Sequence, residues 1–216
     1  MDELIGEEGW LIPAAGPPWL RWGFGTRDAV LRNELAQVKQ VHGAHVLEVS
    51  RAGLAGEADA LVTREPGLFL GIQTADCLPI LMVDLHQRAV AAVHAGWRGT
   101  AQGIVGAAVH ALEQMYGTKP NDLLVAMGPA IGPCCFEVGA EVAQAFAEYD
   151  PELSKVTGRY YLDLQAINRW QLGNLGVSSE QILGNEFCTM CGGKRFWSYR
   201  KDGAGAGRLW SVVGII

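Results

Sequence analysis

Between Leu68 and Ala95 the chain carries three apolar runs of strand length, LFLGIQT (68–74), CLPILMVD (77–84) and AVAAVHA (89–95). Only LHQR separates the last two, so they are predicted to pair as a hairpin. Beyond them Ala101, Ile104, Val105, Ala108, Val109, Leu112 and Met115 recur at helical spacing. That spacing predicts a helix over 98–116 with one broad apolar face, stopped by Gly117 and Pro120 and packed on the sheet.

A strand is expected at 123–130 and helices at about 140–149 and 162–175. Further strands are expected in QILGNEFCT (181–189), RFWSYRKDG (195–203) and GRLWSVVGII (207–216). Strands and helices do not alternate regularly, and short turns between neighbouring strands favour antiparallel pairing. The expected fold class is therefore α+β, with a mixed, largely antiparallel sheet packed against helices. A length of 216 residues suits a single domain over 1–216.

Glycine, 28 of 216 residues, exceeds its usual share of roughly 7% and implies many tight turns or close approaches of backbone to a ligand. A net charge of −6 provides no general attraction to nucleic acid or to an anionic membrane. The N-terminal MDELIGEEGWLIPAAGPPW opens with acids where a signal peptide has bases. No apolar run approaches the roughly 20 residues that span a bilayer, so a cytoplasmic protein is expected. Five cysteines, an odd number, argue against a disulfide framework and for reduced thiols.

His42 in KQVHGAHV, Cys77 in TADCLPI and His94 in VHAGWRG each stand at the end or start of a strand-like run, beside a small or turn-forming residue. Function is commonly built at such places. One thiolate and two imidazoles suit tetrahedral zinc, with a fourth position left for water or substrate. The spacing is not a zinc-finger signature, and residue type leaves the ordinary alternative open: hydrogen-bonded strand-end histidines and a cysteine packed as a small hydrophobe. Asp76 reads either as a carboxylate that orients a ligand or relays a proton, or as a turn cap. His45, His86 and His110 are weaker candidates, since a strand turns His45 away from His42, His86 falls in a turn and His110 lies on a helix.

CTMC (188–191) and the adjacent Cys134 and Cys135 form two cysteine pairs. Adjacent cysteines rarely ligate one ion and no thioredoxin-like context surrounds the CxxC, so structural or incidental thiols are expected rather than a four-cysteine zinc site or a redox pair. Arg98 at a helix start, and Arg200, Lys201 and Arg208 around the glycine-rich SYRKDGAGAGR, are the candidates to hold phosphate.

Taken in order, KQVHGAHV, ADALVT, TADCLPILM, VAAVHAGWRGT, GPAIGPCCFEVG and FWSYRKDG resemble the laccase-domain, or polyphenol oxidoreductase, family, now described as zinc-dependent purine nucleoside phosphorylases. The resemblance extends from about Gly23 to Ile215. It implies zinc held by His42, Cys77 and His94, with copper the alternative metal, and an α+β fold. It also implies phosphorolysis of adenosine, inosine, guanosine and S-methyl-5'-thioadenosine, and adenosine deamination. The implied partners are a small-molecule nucleoside and phosphate, and the implied catalytic set is His42, Cys77 and His94; Asp76 is added to it only on the residue reading above. Two departures stand out: the segment before KQVHG is shorter than in many relatives, and Lys201 stands where an arginine is common, so a bidentate contact, if relatives use one there, would become a point-charge contact.

Two further readings stay open. Cys77 as a nucleophile, with His94 or His42 as base, makes a cytosolic amide hydrolase, in line with relatives described as peptidoglycan-editing factors that remove serine from a nucleotide-linked muramyl precursor. A non-catalytic nucleotide-binding module is the other. Five dispersed histidines do not furnish the several histidine-rich sites of a blue multicopper oxidase.

Overall fold

The computed structural model describes residues 4–31, 34–184 and 187–216. Among these, one sheet runs in the order β1 (Leu4–Glu7), β2 (Trp10–Pro13), β3 (Leu20–Gly25), β15 (Leu209–Ile215), β8 (Phe69–Thr74), β4 (Ala36–Lys39) and β6 (Gly53–Glu57). A second runs β14 (Ile182–Leu183), β11 (Leu123–Met127), β9 (Leu78–Asp84), β10 (Val90–Ala95), β7 (Ala60–Thr63) and β5 (Val46–Glu48). β12 (Glu137–Val138) and β13 (Tyr160–Tyr161) form a separate ribbon. The helices are α1 (Trp97–Ala101), α2 (Ile104–Tyr116), α3 (Ala140–Gln144), α4 (Leu164–Asn174) and α5 (Tyr199–Asp202). Pairing is antiparallel except between β4 and its two neighbours, between β5 and β7, and between β11 and β14. The class is α+β and the sheets are mixed, as expected, but there are two large sheets rather than one.

The apolar runs explain the second sheet. β9 and β10 form the expected hairpin, with Val90 opposite Val83. Every residue of both strands is buried, and the two-residue period sorts them into two cores. Ile80, Met82, Ala91 and Val93 join Ile104, Val105, Ala108 and Leu112 of α2. Leu81, Val83, Val90 and Ala92 join Phe24, Ile72 and Val213 of the other sheet. The six-stranded sheet is thus a middle layer, covered by helices on one face and by the seven-stranded sheet on the other.

Four expected elements differ. The helix over 98–116 splits at Gly103, which takes a φ of 76°. α4 stabilises the break: the Gln171 side chain donates to the Thr100 carbonyl at 2.9 Å, and the Asn168 side chain donates to the Thr100 hydroxyl at 3.1 Å. Gly117 ends α2 as expected, with a φ of 72°. RFWSYRKDG is not a strand, because the Ser198 side chain caps α5 by accepting from the Lys201 N–H at 3.2 Å. Arg27 holds that segment as well, donating to the Phe196 carbonyl at 2.8 Å and to Asp202 at 2.9 Å. The helix at 140–149 stops at Gln144 and continues only as tight turns, with Phe146 N–H bonded to the Ala143 carbonyl at 3.0 Å. QILGNEFCT shrinks to β14 and a parallel bridge between Ala130 and Cys188; its residues 185 and 186 lie outside the described residues. No helix among the described residues is long and apolar enough to cross a membrane.

Leu81 is fully buried between the sheets. Leu81→Ala is expected to lower the unfolding free energy by about 2–5 kcal/mol, read as a shifted urea midpoint.

Candidate active site

One end of the middle sheet gathers several of the candidate side chains. His94 lies near the end of β10, opposite Pro79. Cys77 directly precedes β9, Asp59 directly precedes β7, and His42 sits in the connection from β4 to β5. The Asp59 side chain is wholly buried and is the hub of this arrangement. Its Oδ1 accepts from Nδ1 of His94 at 2.8 Å and from the His42 N–H at 2.9 Å, while Oδ2 accepts from the Gly43 N–H at 2.6 Å. A carboxylate only accepts, so when His94 is neutral it selects the tautomer protonated on Nδ1, with the lone pair on Nε2. His42 adopts a left-handed φ of 61°, and the amide bonds to Asp59 hold it there.

The rings of His42 and His94 meet edge to face with centroids 4.8 Å apart. Their ligating atoms and Cys77 Sγ all lie within 4.8 Å of one another. A tetrahedral ion with bonds of 2.0–2.3 Å sets its ligand atoms about 3.3–3.8 Å apart, so small shifts close this set around one metal. The donor chemistry, one sulfur and two imidazoles, fits a borderline-soft cation. The glycines of HAGWRG make the approach possible. A Cβ at Gly96 would stand 3.0 Å from Cys77 Sγ and 3.2 Å from His42 Cδ2, and one at Gly99 would stand 2.8 Å from the Gly43 carbonyl oxygen.

The same geometry sets the protonation states. Burial of Cys77 opposes its thiolate, but hydrogen bonds and charge from His42 and His94 outweigh burial and lower the thiol to about 6. Burial also opposes the His94 cation, and the bonds to Asp59 and Cys77 overcome it, raising the imidazolium to about 9. At neutral pH and without metal, the pair is a thiolate facing an imidazolium. For Asp59, burial is outweighed by His94 and the backbone amides, which lower its pKa and keep it ionised.

These groups open on a cavity of about 630 Å³ whose walls include Asp76, Arg98, Arg200 and Arg208. Trp97, Phe136, Tyr199 and Trp210 supply aromatic surface. Of the expected phosphate candidates, Lys201 is not among the lining residues. α1 is only five residues long, so Arg98 contributes its own charge rather than the start of a long helix. Its guanidinium lies 4.4 Å from the Trp97 ring. The Arg200 guanidinium donates to the Glu137 carbonyl at 3.0 Å. A larger cavity, about 930 Å³, lies against β2 and β3, with no histidine or cysteine among its described lining.

Asp76 does not orient a histidine. Its carboxylate accepts from the Thr189 hydroxyl at 2.6 Å and from the Arg200 N–H at 2.7 Å, and its φ is 89°. The orienting carboxylate is Asp59, which nothing in the ADALVT motif by itself marks as a partner of His94. The available signal was an acid heading a strand whose next four residues, Ala60–Thr63, are all buried, a setting that demands a buried partner. His45, by contrast, bonds the Glu57 carbonyl at 3.1 Å, and His86 and His110 are exposed. Cys134, Cys135, Cys188 and Cys191 are not scattered thiols: their sulfurs lie within 4.8 Å of one another.

Residues 26–216 match the family model described as multi-copper polyphenol oxidoreductase laccase. The chain belongs to this family. Among relatives, it is 40% identical over 184 residues to the purine nucleoside phosphorylase YfiH of Shigella flexneri, covering 83% of this chain and 73% of that protein. It is 36% identical over 198 residues to adenosine deaminase RL5 from an unknown prokaryotic organism, covering 84% of this chain and 75% of that one. The crystal structure of YlmD from Geobacillus stearothermophilus superposes with a TM-score of 0.87 at 30% identity, over 100% of this chain and 99% of that one.

Two outcomes follow from the Asp59 hub. Asp59→Asn, which keeps the size but loses the charge, is expected to weaken affinity for a divalent metal by about 10–100-fold, read by competition with a chromophoric chelator. A metal takes Cys77 as thiolate and His94 as neutral imidazole. Between pH about 6 and about 9 loading therefore releases one proton from this pair, and below about 6 it releases two. Above about 9 the pair releases none. Calorimetry in buffers of different ionisation enthalpy measures that count in protein whose Cys134, Cys135, Cys188 and Cys191 are replaced by serine, so that the second thiol cluster adds no protons.

Proposed function

We propose that this chain is a metal-dependent purine nucleoside enzyme, cleaving nucleosides with phosphate and deaminating adenosine. The observation that carries the reading is the His42, Cys77 and His94 set on the wall of a cavity of about 630 Å³, within the range of about 300–1,000 Å³ that suits a small organic ligand. The names of relatives such as the Shigella phosphorylase and the RL5 deaminase support the substrate class.

His42, Cys77 and His94 would hold zinc. When bound there, zinc supplies a Lewis acid that lowers the pKa of water towards about 7. Asp59 keeps the Nε2 lone pair of His94 turned to the ligand position and prevents rotation of the ring. Arg98, Arg200 and Arg208 place positive charge on the cavity wall, where a phosphate is drawn in and held against the sugar. Phosphorolysis gains from this placement because positive charge develops on the sugar as the glycosidic bond loosens, while the attacking phosphate is anionic. Asp76 acts through Arg200, holding its backbone N–H and so its position on the wall. Trp97, Phe136, Tyr199 and Trp210 offer flat faces for a purine.

A second reading draws on one specific arrangement. Cys77 is a thiolate next to His94, and His94 is oriented by Asp59, which is the order nucleophile, base and orienting acid of a cysteine hydrolase. An amide hydrolase of a nucleotide-linked precursor would use these atoms without a metal.

Metal-quantified protein incubated with adenosine, with and without phosphate, separates the outcomes by chromatography of the products. Adenine that appears only with phosphate is the expected mark of phosphorolysis, and inosine in both samples that of deamination. Cys77→Ala is expected to lose bound metal at this site and turnover together; retention of both sinks the proposed centre. Full activity on an amide substrate after chelation, abolished by a thiol reagent, would establish the hydrolase instead.

A further inference from the structure

Outside the nucleoside cavity's own metal set, two loops converge on a second donor cluster. Gly132–Cys135 follows β11, and Cys188–Cys191 follows β14. The loops are aligned by backbone bonding: Ala130 and Cys188 form a parallel bridge, and the Thr189 N–H donates to the Ala130 carbonyl at 3.0 Å. This pairing turns Cys134 and Cys135 towards the CTMC turn. Sγ of Cys191 lies 3.0 Å from Sγ of Cys135 and 3.5 Å from Sγ of Cys134. All four sulfurs lie within 4.8 Å of one another.

We propose that Cys134, Cys135, Cys188 and Cys191 form a second metal site, a four-thiolate cage for one zinc ion. Four sulfurs at about 2.3 Å from a central ion stand about 3.8 Å apart, which is the spacing this cluster approaches with small side-chain rotations. The cage has the supporting amide that a thiolate ligand needs, since the Gly132 N–H donates to Cys188 Sγ at 3.3 Å. Adjacency of Cys134 and Cys135 is no obstacle here, because the turn at 132–136 carries both sulfurs to the same side. Its Cys135 and Phe136 N–H groups both bond the Gly132 carbonyl at 2.9 Å. Four protein thiolates close the coordination sphere, so the ion has a structural task and no open position for substrate. Binding converts four thiols to thiolates and releases their protons to solvent, with no change in oxidation state.

The cage also reaches the nucleoside cavity. The Ile131 N–H, one residue before the first loop, donates to the Asp76 carbonyl at 2.9 Å. Thr189, inside the second loop, donates its hydroxyl to the Asp76 carboxylate at 2.6 Å. Asp76 keeps its left-handed φ of 89° between these two segments and stands next to Cys77. An ion joining the loops therefore pins the wall that carries Asp76, Ile131 and Phe136.

Elemental analysis of anaerobically purified protein tests the assignment. Two zinc equivalents per chain are expected, falling to one in the Cys134→Ser/Cys191→Ser variant. Cys77→Ala is expected to lose the other equivalent and keep this one, so the two sites fail independently. If the cysteine variant is insoluble, the His42→Ala/Cys77→Ala variant loaded with cobalt(II) provides the same information. Its sulfur-to-cobalt charge-transfer band should have the intensity of several thiolates and vanish when Cys191 is blocked. A Cys134→Ser/Cys191→Ser variant with the same zinc content as the wild-type protein overturns the proposal. So does a Cys135–Cys191 disulfide found by mass spectrometry in the anaerobic protein, which would make the cluster a redox pair.

Discussion

The buried carboxylate of Asp59 is the interaction on which the candidate site depends. A charge with no exposure to water must be met by donors, and here they are the His94 ring and the amides of Val41, His42 and Gly43. Hydrogen bonds to a charged group contribute about 1.5–3 kcal/mol each, whereas a left-handed non-glycine residue costs about 1–3 kcal/mol. The bonds therefore outweigh the strain at His42 and keep that turn in place. One acid thus joins the loop after β4, the start of β7 and the end of β10, and sets two of the three candidate metal ligands relative to each other.

The middle sheet explains why the site lies where it does. β9 and β10 are covered on both faces, so their polar chemistry can appear only at strand ends and in the adjoining turns. At that edge the seven-stranded sheet contributes Gln40 and Gln73, whose side chain and backbone bond each other at 2.7 and 2.8 Å. The cavity is bounded by both sheets and by α1, and α4 in turn anchors α1 through Asn168 and Gln171. Packing far from the cavity thereby determines how the arginine-bearing wall stands relative to His42, Cys77 and His94.

Local pattern revealed much of this arrangement. The hairpin of β9 and β10, the apolar face of α2 and its stop at Gly117 all depend on neighbours in sequence, so periodicity and turn chemistry suffice to read them. RFWSYRKDG misled because its aromatic residues favour a strand, while a Ser198 cap and the distant Arg27 favour a helical turn. The split at Gly103 was hidden for a similar reason, since the partners that stabilise it lie on α4.

His42, Cys77 and His94 could be picked from the chain because each occupies a turn or strand end with small neighbours, and because their motifs occur in family order. Their convergence, the role of Asp59 in place of Asp76, and the meeting of Cys134 and Cys135 with Cys188 and Cys191 could not. Each depends on contacts between segments far apart in the chain: Asp59 and His94 are 35 residues apart, and Cys135 and Cys191 are 56. Residue type states which groups can carry charge or bind metal. Which of them share a donor or a cage is set by strand register and by the need to satisfy buried charge, and those exist only once the sheets have packed.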